Sequence, residues 1–323
     1  MVTKNKEEGS KAYSSEKITV LEGLEAVREK FDIIGISQKV RKKGDILELS
    51  SKLKIKPRIL NLAVEEARIL KFFPDLLRSK VNALSRLKTD RELLKFAEIY
   101  GIRNIKAREL YGLVKKWNEN IQKNPLIFLT EEEQDFIIGS LLGDASIRKR
   151  DKYCCFRVAH SLKQEKYIRW KLDLLKFFKI SEFVKRSRLI NGRQVNMFYL
   201  STRTHPIFNY YRNLFYKNNK KVINNKLISL LNPRSLAFWI CDDGSYNIKQ
   251  KYIILCTNAF TLKEHKLLKG FFKKKFNLNP TIGFRDKRYY YLRFKKNDSE
   301  KLAQIVKPFI HNSMFYKIGE DNG

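Results

Sequence analysis

Two short segments of the chain are apolar at nearly every position, and each carries an aspartate near its end. The first is Ile137–Ala145 and the second is Leu236–Gly244. Both follow helix-start signals, because Thr130 and Glu133 are spaced as a capping box and Asn232 directly precedes a proline. A glycine near the end of each segment supplies a stop signal. The pattern predicts two buried helices.

The acids that end these helices, Asp144 and Asp243, stand in an unfavourable place. A helix C-terminus already carries partial negative charge, so a carboxylate there costs roughly 0.3–1 kcal/mol. The arrangement occurs twice, at an offset of 99 residues (243 − 144), which favours a shared cation over two unrelated solvated acids. Mg²⁺ is the natural candidate, since it prefers carboxylate oxygens and keeps places for substrate phosphate oxygens.

The residues after each apolar helix repeat one order of elements. Strands, a helix, a hairpin and a last helix follow in residues 126–230, and the same order returns in residues 231–323. The clearest signal is Asn191-Gly192 between two alternating runs, which is typical of a tight hairpin. We therefore predict an α+β fold of two pseudo-symmetric αββαββα subdomains, with the two apolar helices packed together through their small residues.

The chain before these subdomains divides into a polar leader, residues 1–28, predicted to be disordered, and a helical region, residues 29–125. The helical region holds two helix-turn-helix-like patterns, which an ordinary helical bundle would also explain. Arg58 and Arg108 lie on the candidate recognition helices, so accessory DNA binding is an expectation for this region.

The charge of the chain points to a polyanionic partner. Lys and Arg number 67 against 34 acids, a formal net charge of +33. Nucleic acid is the first choice for such a partner. No apolar run approaches the ~20 residues that span a bilayer, and no signal core begins the chain, so we expect no membrane partner and a cytoplasmic location. The four cysteines and four histidines show no zinc-site spacing.

The paired apolar segments resemble the motifs of the LAGLIDADG homing endonucleases, in the single-chain form with two motifs. The resemblance also takes in Lys163-Gln164, Asn219-Lys220-Lys221 and Met314-Phe315-Tyr316-Lys317, and it runs from about Thr130 to Ile318. The first motif departs from the pattern, with leucine at its sixth position and alanine at its ninth. Neither change removes the acid at the eighth position.

The resemblance implies a site and a partner. Asp144 and Asp243 would hold Mg²⁺, with help from the carbonyls of Gly143 and Asp242, and Lys221 and Lys317 would be the active-site lysines. Each half would present a curved antiparallel sheet to the major groove of double-stranded DNA, and one chain would act as a monomer. The candidate DNA-binding residues on these sheets and their turns are Arg148, Arg150, Arg186, Arg188, Arg193, Gln194, Lys249, Gln250, Arg285 and Arg288.

Residues 14–28 resemble the start of the B subunit of DNA gyrase, and nothing after Arg28 continues that resemblance. This predicts a reading frame encoded in an intron and continuous with an upstream gyrase exon. The expected function is a site-specific endonuclease that makes magnesium-dependent double-strand cuts. Two alternatives stay open: a maturase that binds intron RNA, and a catalytically inactive DNA-binding regulator.

Overall fold

The computed structural model describes residues 43–190 and 192–320. The predicted leader, with its gyrase-like residues, lies outside these ranges. The chain divides into two compact units, the first ending at Trp117 and the second beginning at Asn118. The predicted boundary between residues 125 and 126 lies a few residues later, just after the helix Ala107–Asn120.

The described part of the first unit is helical, as its apolar spacing predicts. Its helices are α1 Lys43–Leu53, α2 Pro57–Leu70, α3 Arg78–Leu84, α4 Asp90–Tyr100 and α5 Ala107–Asn120. Ile46 of α1 packs against Leu60 and Val64 of α2 across a tight turn. Both predicted helix-turn-helix-like pairs are therefore present as helices, α1 with α2 and α4 with α5.

The first half of the second unit has the predicted order of elements. They are α6 Glu131–Leu142, β1 Ser146–Lys149, β2 Cys154–Ser161, α7 Glu165–Leu174, β3 Ile180–Ile190, β4 Arg193–Thr202 and α8 Ile207–Phe215, followed by the short strands β5 Tyr216–Lys217 and β6 Lys220–Lys221 and by α9 Asn225–Ser229. The sheet is antiparallel in the order β1-β2-β4-β3, and Ile190 pairs with Arg193 where the hairpin turns.

The second half repeats this arrangement. Its elements are α10 Pro233–Asp243, β7 Gly244–Asn247, β8 Tyr252–Leu255, α11 Leu262–Phe276, β9 Thr281–Arg285, β10 Tyr289–Phe294 and α12 Lys296–Val306, and a 3₁₀ helix follows at Asn312–Ile318. The sheet order is β7-β8-β10-β9, which matches the first sheet strand for strand. The predicted α+β fold of two αββαββα halves is confirmed.

Helices α6 and α10 form the centre of the second unit. Thr130 and Glu133 form the predicted capping box of α6, and the predicted N-cap Asn232 begins α10, where it forms a capping box with Ser235. The two helices pack so closely that a Cβ atom on Gly139 would lie 2.1 Å from the backbone oxygen of Ser235, and one on Gly143 would lie 2.4 Å from Cβ of Asp242. Only glycine allows this approach, so the small residues of the first motif bring the two helix ends together.

No helix within the described ranges combines the length and the apolar character that crossing a bilayer requires.

Candidate active site at the ends of the paired helices

The two predicted acids lie where the paired helices end. Asp243 is the last residue of α10, and Asp144 follows α6 after Gly143, whose φ of −90° and ψ of −129° turn the chain out of the helix. Burial, followed by the charge of Asp242, raises the pKa of Asp144 to about 6. Burial, followed by the charge of Asp144, raises the pKa of Asp243 to about 7. Negative charge is therefore concentrated at one point, as expected for a cation site.

The two predicted lysines reach the same point from opposite halves. Nζ of Lys221, on β6, donates to the backbone oxygen of Gly143 at 2.8 Å. Nζ of Lys317, on the C-terminal 3₁₀ helix, donates to the backbone oxygen of Gly244 at 2.7 Å and lies 3.5 Å from that of Asp242. Burial lowers the pKa of Lys221. The structure thus brings all four predicted catalytic residues to the junction of the two motifs.

The side chain of Asp242 is directed into the protein at this junction. It is fully buried, and both its oxygens are within 2.9 Å of Nζ of Lys171, on α7. The hydroxyl of Tyr167 donates to the same carboxylate at 2.8 Å. Burial and the nearby Asp242 raise the pKa of Tyr167 well above its usual range, so Tyr167 stays a hydrogen-bond donor.

Among the described residues, Asp144, His160 and Asp242 each place one possible metal-ligand atom within 4.8 Å of the others. The cluster as a whole does not fit a divalent ion, because the ammonium group of Lys171 already lies against Asp242. His160 is fully buried, and its ring nitrogens lie 3.5 Å from Asp144 and 3.7 Å from Asp242. Burial and Lys171 lower its pKa to about 3, so His160 is neutral and packs between the two acids.

The carboxylates of Asp144 and Asp243 do fit a divalent metal ion. They are oxygen donors at adjoining helix ends. The side chain of Asp144 is surrounded closely enough for burial to raise its pKa, yet it is 42% exposed and so open to substrate. The predicted additional ligands, the carbonyls of Gly143 and Asp242, have lysine ammonium groups beside them. A carbonyl oxygen keeps a second lone pair, but the adjacent positive charge opposes a metal ion there.

The first sheet has a helix-covered face and an open face. Ile147, Phe156 and Val158 lie on the covered face, where Phe156 contacts rings of α6 and α8. The pairing register places Arg148, Arg186 and Arg188 together on the opposite face. Arg157 shares that face and was not among the predicted residues.

Two further candidates of the first half, Gln194 and Arg150, lie away from this group. Gln194 pairs with Leu189 and therefore lies on the face opposite to Arg186 and Arg188. Arg150 is exposed in the turn after β1, and Arg193 begins β4 at the end of the hairpin. A shift of one position along a strand moves a side chain to the other face, and the register of this hairpin could not be fixed from sequence.

The second sheet carries a smaller set of predicted residues on its open face. Arg285 lies there together with Arg293, which stacks over the ring of Tyr252 at 4.0 Å and was missed by sequence reasoning. Lys249, Gln250 and Arg288 lie in the turns that connect the strands. Arg293 could have been found from the alternation along β10, which places it two positions from Tyr291.

Replacing Asp243 with Asn is expected to stabilise the protein at pH 8 without divalent ions, by about 1–2 kcal/mol or about 2–6 °C in Tm. Its folded-state pKa of about 7 exceeds the unfolded value of about 3.9, so the folded protein binds the proton more tightly and loses stability as pH rises through 7. The gain from Asn should therefore shrink as pH falls towards 4. Thermal unfolding of the wild-type and Asp243→Asn proteins at several pH values measures this gain in stability. A gain that is the same at every pH would contradict the raised pKa of Asp243.

Each motif helix ends at an acid, and each is followed by an antiparallel sheet that carries arginines on its open face. This arrangement is typical of DNA-cleaving enzymes in which two motif helices pack together. A sequence profile of the LAGLIDADG DNA endonuclease family matches residues 134–302. The chain belongs to the LAGLIDADG DNA endonuclease family.

Individual relatives agree with this membership. The chain is 42% identical over 122 residues to intron-encoded endonuclease ai4 of Dictyostelium discoideum, covering 36% of this chain and 74% of that protein. It is 30% identical over 198 residues to cytochrome b mRNA maturase bI2 of Debaryomyces hansenii, covering 59% and 75%. Among solved structures, it is similar to the homing endonuclease I-WcaI bound to its DNA recognition sequence, with a TM-score of 0.56 and 25% identity over 70% of this chain and 98% of that one.

Proposed function

We propose that this endonuclease is a site-specific homing enzyme that acts as a monomer in the cytoplasm and cuts both strands of a DNA site with Mg²⁺. The observation that carries the proposal is the meeting of Asp144 and Asp243 at the ends of α6 and α10, beside Lys221 and Lys317. Because one chain supplies both motifs, a second copy is not needed to complete the site.

Asp144 and Asp243 would hold the divalent ions, whose chemistry would be the activation of water and the stabilisation of the leaving oxygens. The lysines have a different task. Lys221 and Lys317, which donate to backbone oxygens at the helix ends, would offset the negative charge that the phosphates bring. Each acid serves the cut in one strand, so the two cuts are separate events at neighbouring positions.

The proposed target is the intron-less gene that the leader resembles. Incubating the purified chain with intron-less gyrase B DNA and Mg²⁺, followed by mapping of the ends, tests this directly. We expect one double-strand cut near the exon junction. Random nicking, or no cut with Mg²⁺ or Mn²⁺, would overturn the proposal.

The open face of the first sheet is the proposed DNA-binding surface. Replacing Arg186 and Arg188 together with Ala should weaken binding on the order of tenfold and reduce the slope of log affinity against log salt by about two. Gln194→Ala is the matched control, since Gln194 is on the same hairpin but faces the other way. Titrations with target DNA at several salt concentrations distinguish the variants; an equal loss in the control would place the DNA elsewhere.

The first unit is proposed to contribute accessory DNA binding. Arg58, on α2, and Arg108, on α5, are both exposed on the second helix of their pairs, which is the helix that enters the major groove in helix-turn-helix proteins. Substituting both with Ala should lower affinity for a long target and leave affinity for a target trimmed to the endonuclease footprint unchanged.

A second candidate function, RNA binding as an intron maturase, is favoured by the similarity to a cytochrome b mRNA maturase. It needs the basic surfaces and not the two acids. A splicing assay with an Asp144→Asn, Asp243→Asn double variant separates the two functions, because a maturase would still promote splicing. An inactive regulator is disfavoured, since both acids and both lysines are present and assembled.

A further inference from the structure

The carboxylate of Asp242 belongs to the second motif but lies within the first half of the unit. Its partners there are Lys171, at 2.7 and 2.9 Å, and the hydroxyl of Tyr167, at 2.8 Å, both on α7. The side chains of Asp242 and Lys171 are completely shielded from solvent. The catalytic scheme proposed above uses neither the carboxylate nor the lysine.

One further hydrogen bond connects this buried group to the active site. The backbone N–H of Asp144 donates to Oδ2 of Asp242 at 3.2 Å. Helix α6 ends at Leu142, so the amide of Asp144 lies beyond its regular hydrogen-bond ladder, whereas Asp243 is still part of α10. Asp144 is thus held by a side chain of the other motif, and Asp243 is held by its own helix.

The opposite motif has no equivalent group. Gly143 occupies the corresponding position of the first motif, and a Cβ atom there would lie 2.4 Å from Cβ of Asp242. The space at the junction admits one side chain at this pair of positions, and Asp242 fills it. The two halves of the active site are therefore built differently despite the symmetry of their backbones.

A buried ion pair is a poor device for stability alone, because the cost of removing two charges from water offsets most of their attraction. The geometry of this pair is better suited to holding the Asp242 carboxylate in one orientation. Three donors, from Lys171, Tyr167 and the Asp144 amide, fix the orientation of one carboxylate, and a charge-assisted hydrogen bond to an amide is strong and directional.

We propose that Asp242 is a positioning residue: anchored by Lys171 and Tyr167, it fixes the Asp144 peptide and makes the two cleavage centres unequal. Loss of its acceptor oxygen therefore slows the cut that depends on Asp144 more than the other cut. This inference rests on the proposed function, in which each acid serves one strand.

Two double variants separate positioning from stability. Lys171→Met with Asp242→Asn removes both charges but keeps an acceptor oxygen for the Asp144 amide. Lys171→Met with Asp242→Ala removes the same charges and also the acceptor. Single-turnover cleavage of a target labelled on each strand gives the two strand rates separately, and their ratio is insensitive to the fraction of folded enzyme.

We expect the Asn pair to keep the wild-type ratio of strand rates within about 1.5-fold, and the Ala pair to change it by about tenfold or more, with a nicked intermediate accumulating. Equal ratios in both pairs would overturn the proposal. Should either pair fail to fold, Tyr167→Phe, which removes only a hydroxyl, gives the deciding measurement. A shift of about threefold in the ratio supports positioning, and the wild-type ratio refutes it.

Failure of the proposed function gives a different result. If the wild-type chain makes no cut, or if Asp144→Asn and Asp243→Asn still cut both strands, the nuclease assignment falls together with the positioning role. If wild-type cleavage is normal and only the ratio stays constant, the positioning role alone falls.

Discussion

Asp243→Asn is expected to abolish double-strand cleavage, with a loss of about 10³-fold or more, while DNA affinity stays within about twofold of wild type. Asparagine has nearly the same shape as aspartate but lacks the negative charge that binds a divalent ion. The substitution changes only a side chain, so the backbone pairing of the arginine-bearing sheets stays intact, including that of β7, which begins at the next residue. Cleavage of labelled target and binding in Ca²⁺ would be measured side by side.

The matched control is Asp173→Asn, because Asp173 is an exposed acid on α7 and loses the same charge outside the site. It should cleave like wild type. Cutting of both strands by Asp243→Asn at more than about a tenth of the wild-type rate would remove Asp243 from the mechanism.

Much of the architecture could be predicted because its signals are local. The capping residues Thr130 and Asn232, the glycine stops and the Asn-Gly turn act over three or four residues. The structure confirms the caps and the stops, and it pairs Ile190 with Arg193 on either side of the predicted turn. The site could be located because the two motif helices were predicted to pack against each other. The positions of Lys221 and Lys317 came from the family resemblance, and the structure places both lysines at the junction.

The role of the Asp242 side chain could not be predicted, for a physical reason. Asp242 and Asp243 are neighbours of identical chemistry, and only the rotation of α10 against α6 decides which one turns into the protein. Lys171 is 71 residues away in the chain, on a helix whose amphipathic pattern makes a lysine look like a solvated charge. A buried lysine has no local signal, because its burial depends on a partner from the other half.

The close contact between α6 and α10 requires glycine at position 139, and Gly139→Ala tests this requirement. The added Cβ would lie 2.1 Å from the backbone oxygen of Ser235 and 2.7 Å from Cβ of Phe238. Because backbone cannot rotate away as a side chain can, the helices must separate. We expect a loss of at least about 2 kcal/mol, or about 4–8 °C in Tm.

Gly270→Ala is the matched control for this substitution. Gly270 lies within α11, with no atom within 4 Å of the position that a Cβ would take, so alanine should raise stability by about 0.5–1 kcal/mol through helix propensity alone. Thermal unfolding of both variants gives the two shifts, which should have opposite signs. Gly139→Ala should also cleave more slowly at temperatures where it remains folded, because separating the helices moves Asp144 away from Asp243. A variant that is destabilised yet cleaves at the wild-type rate would show that the chemistry does not depend on this close helix contact.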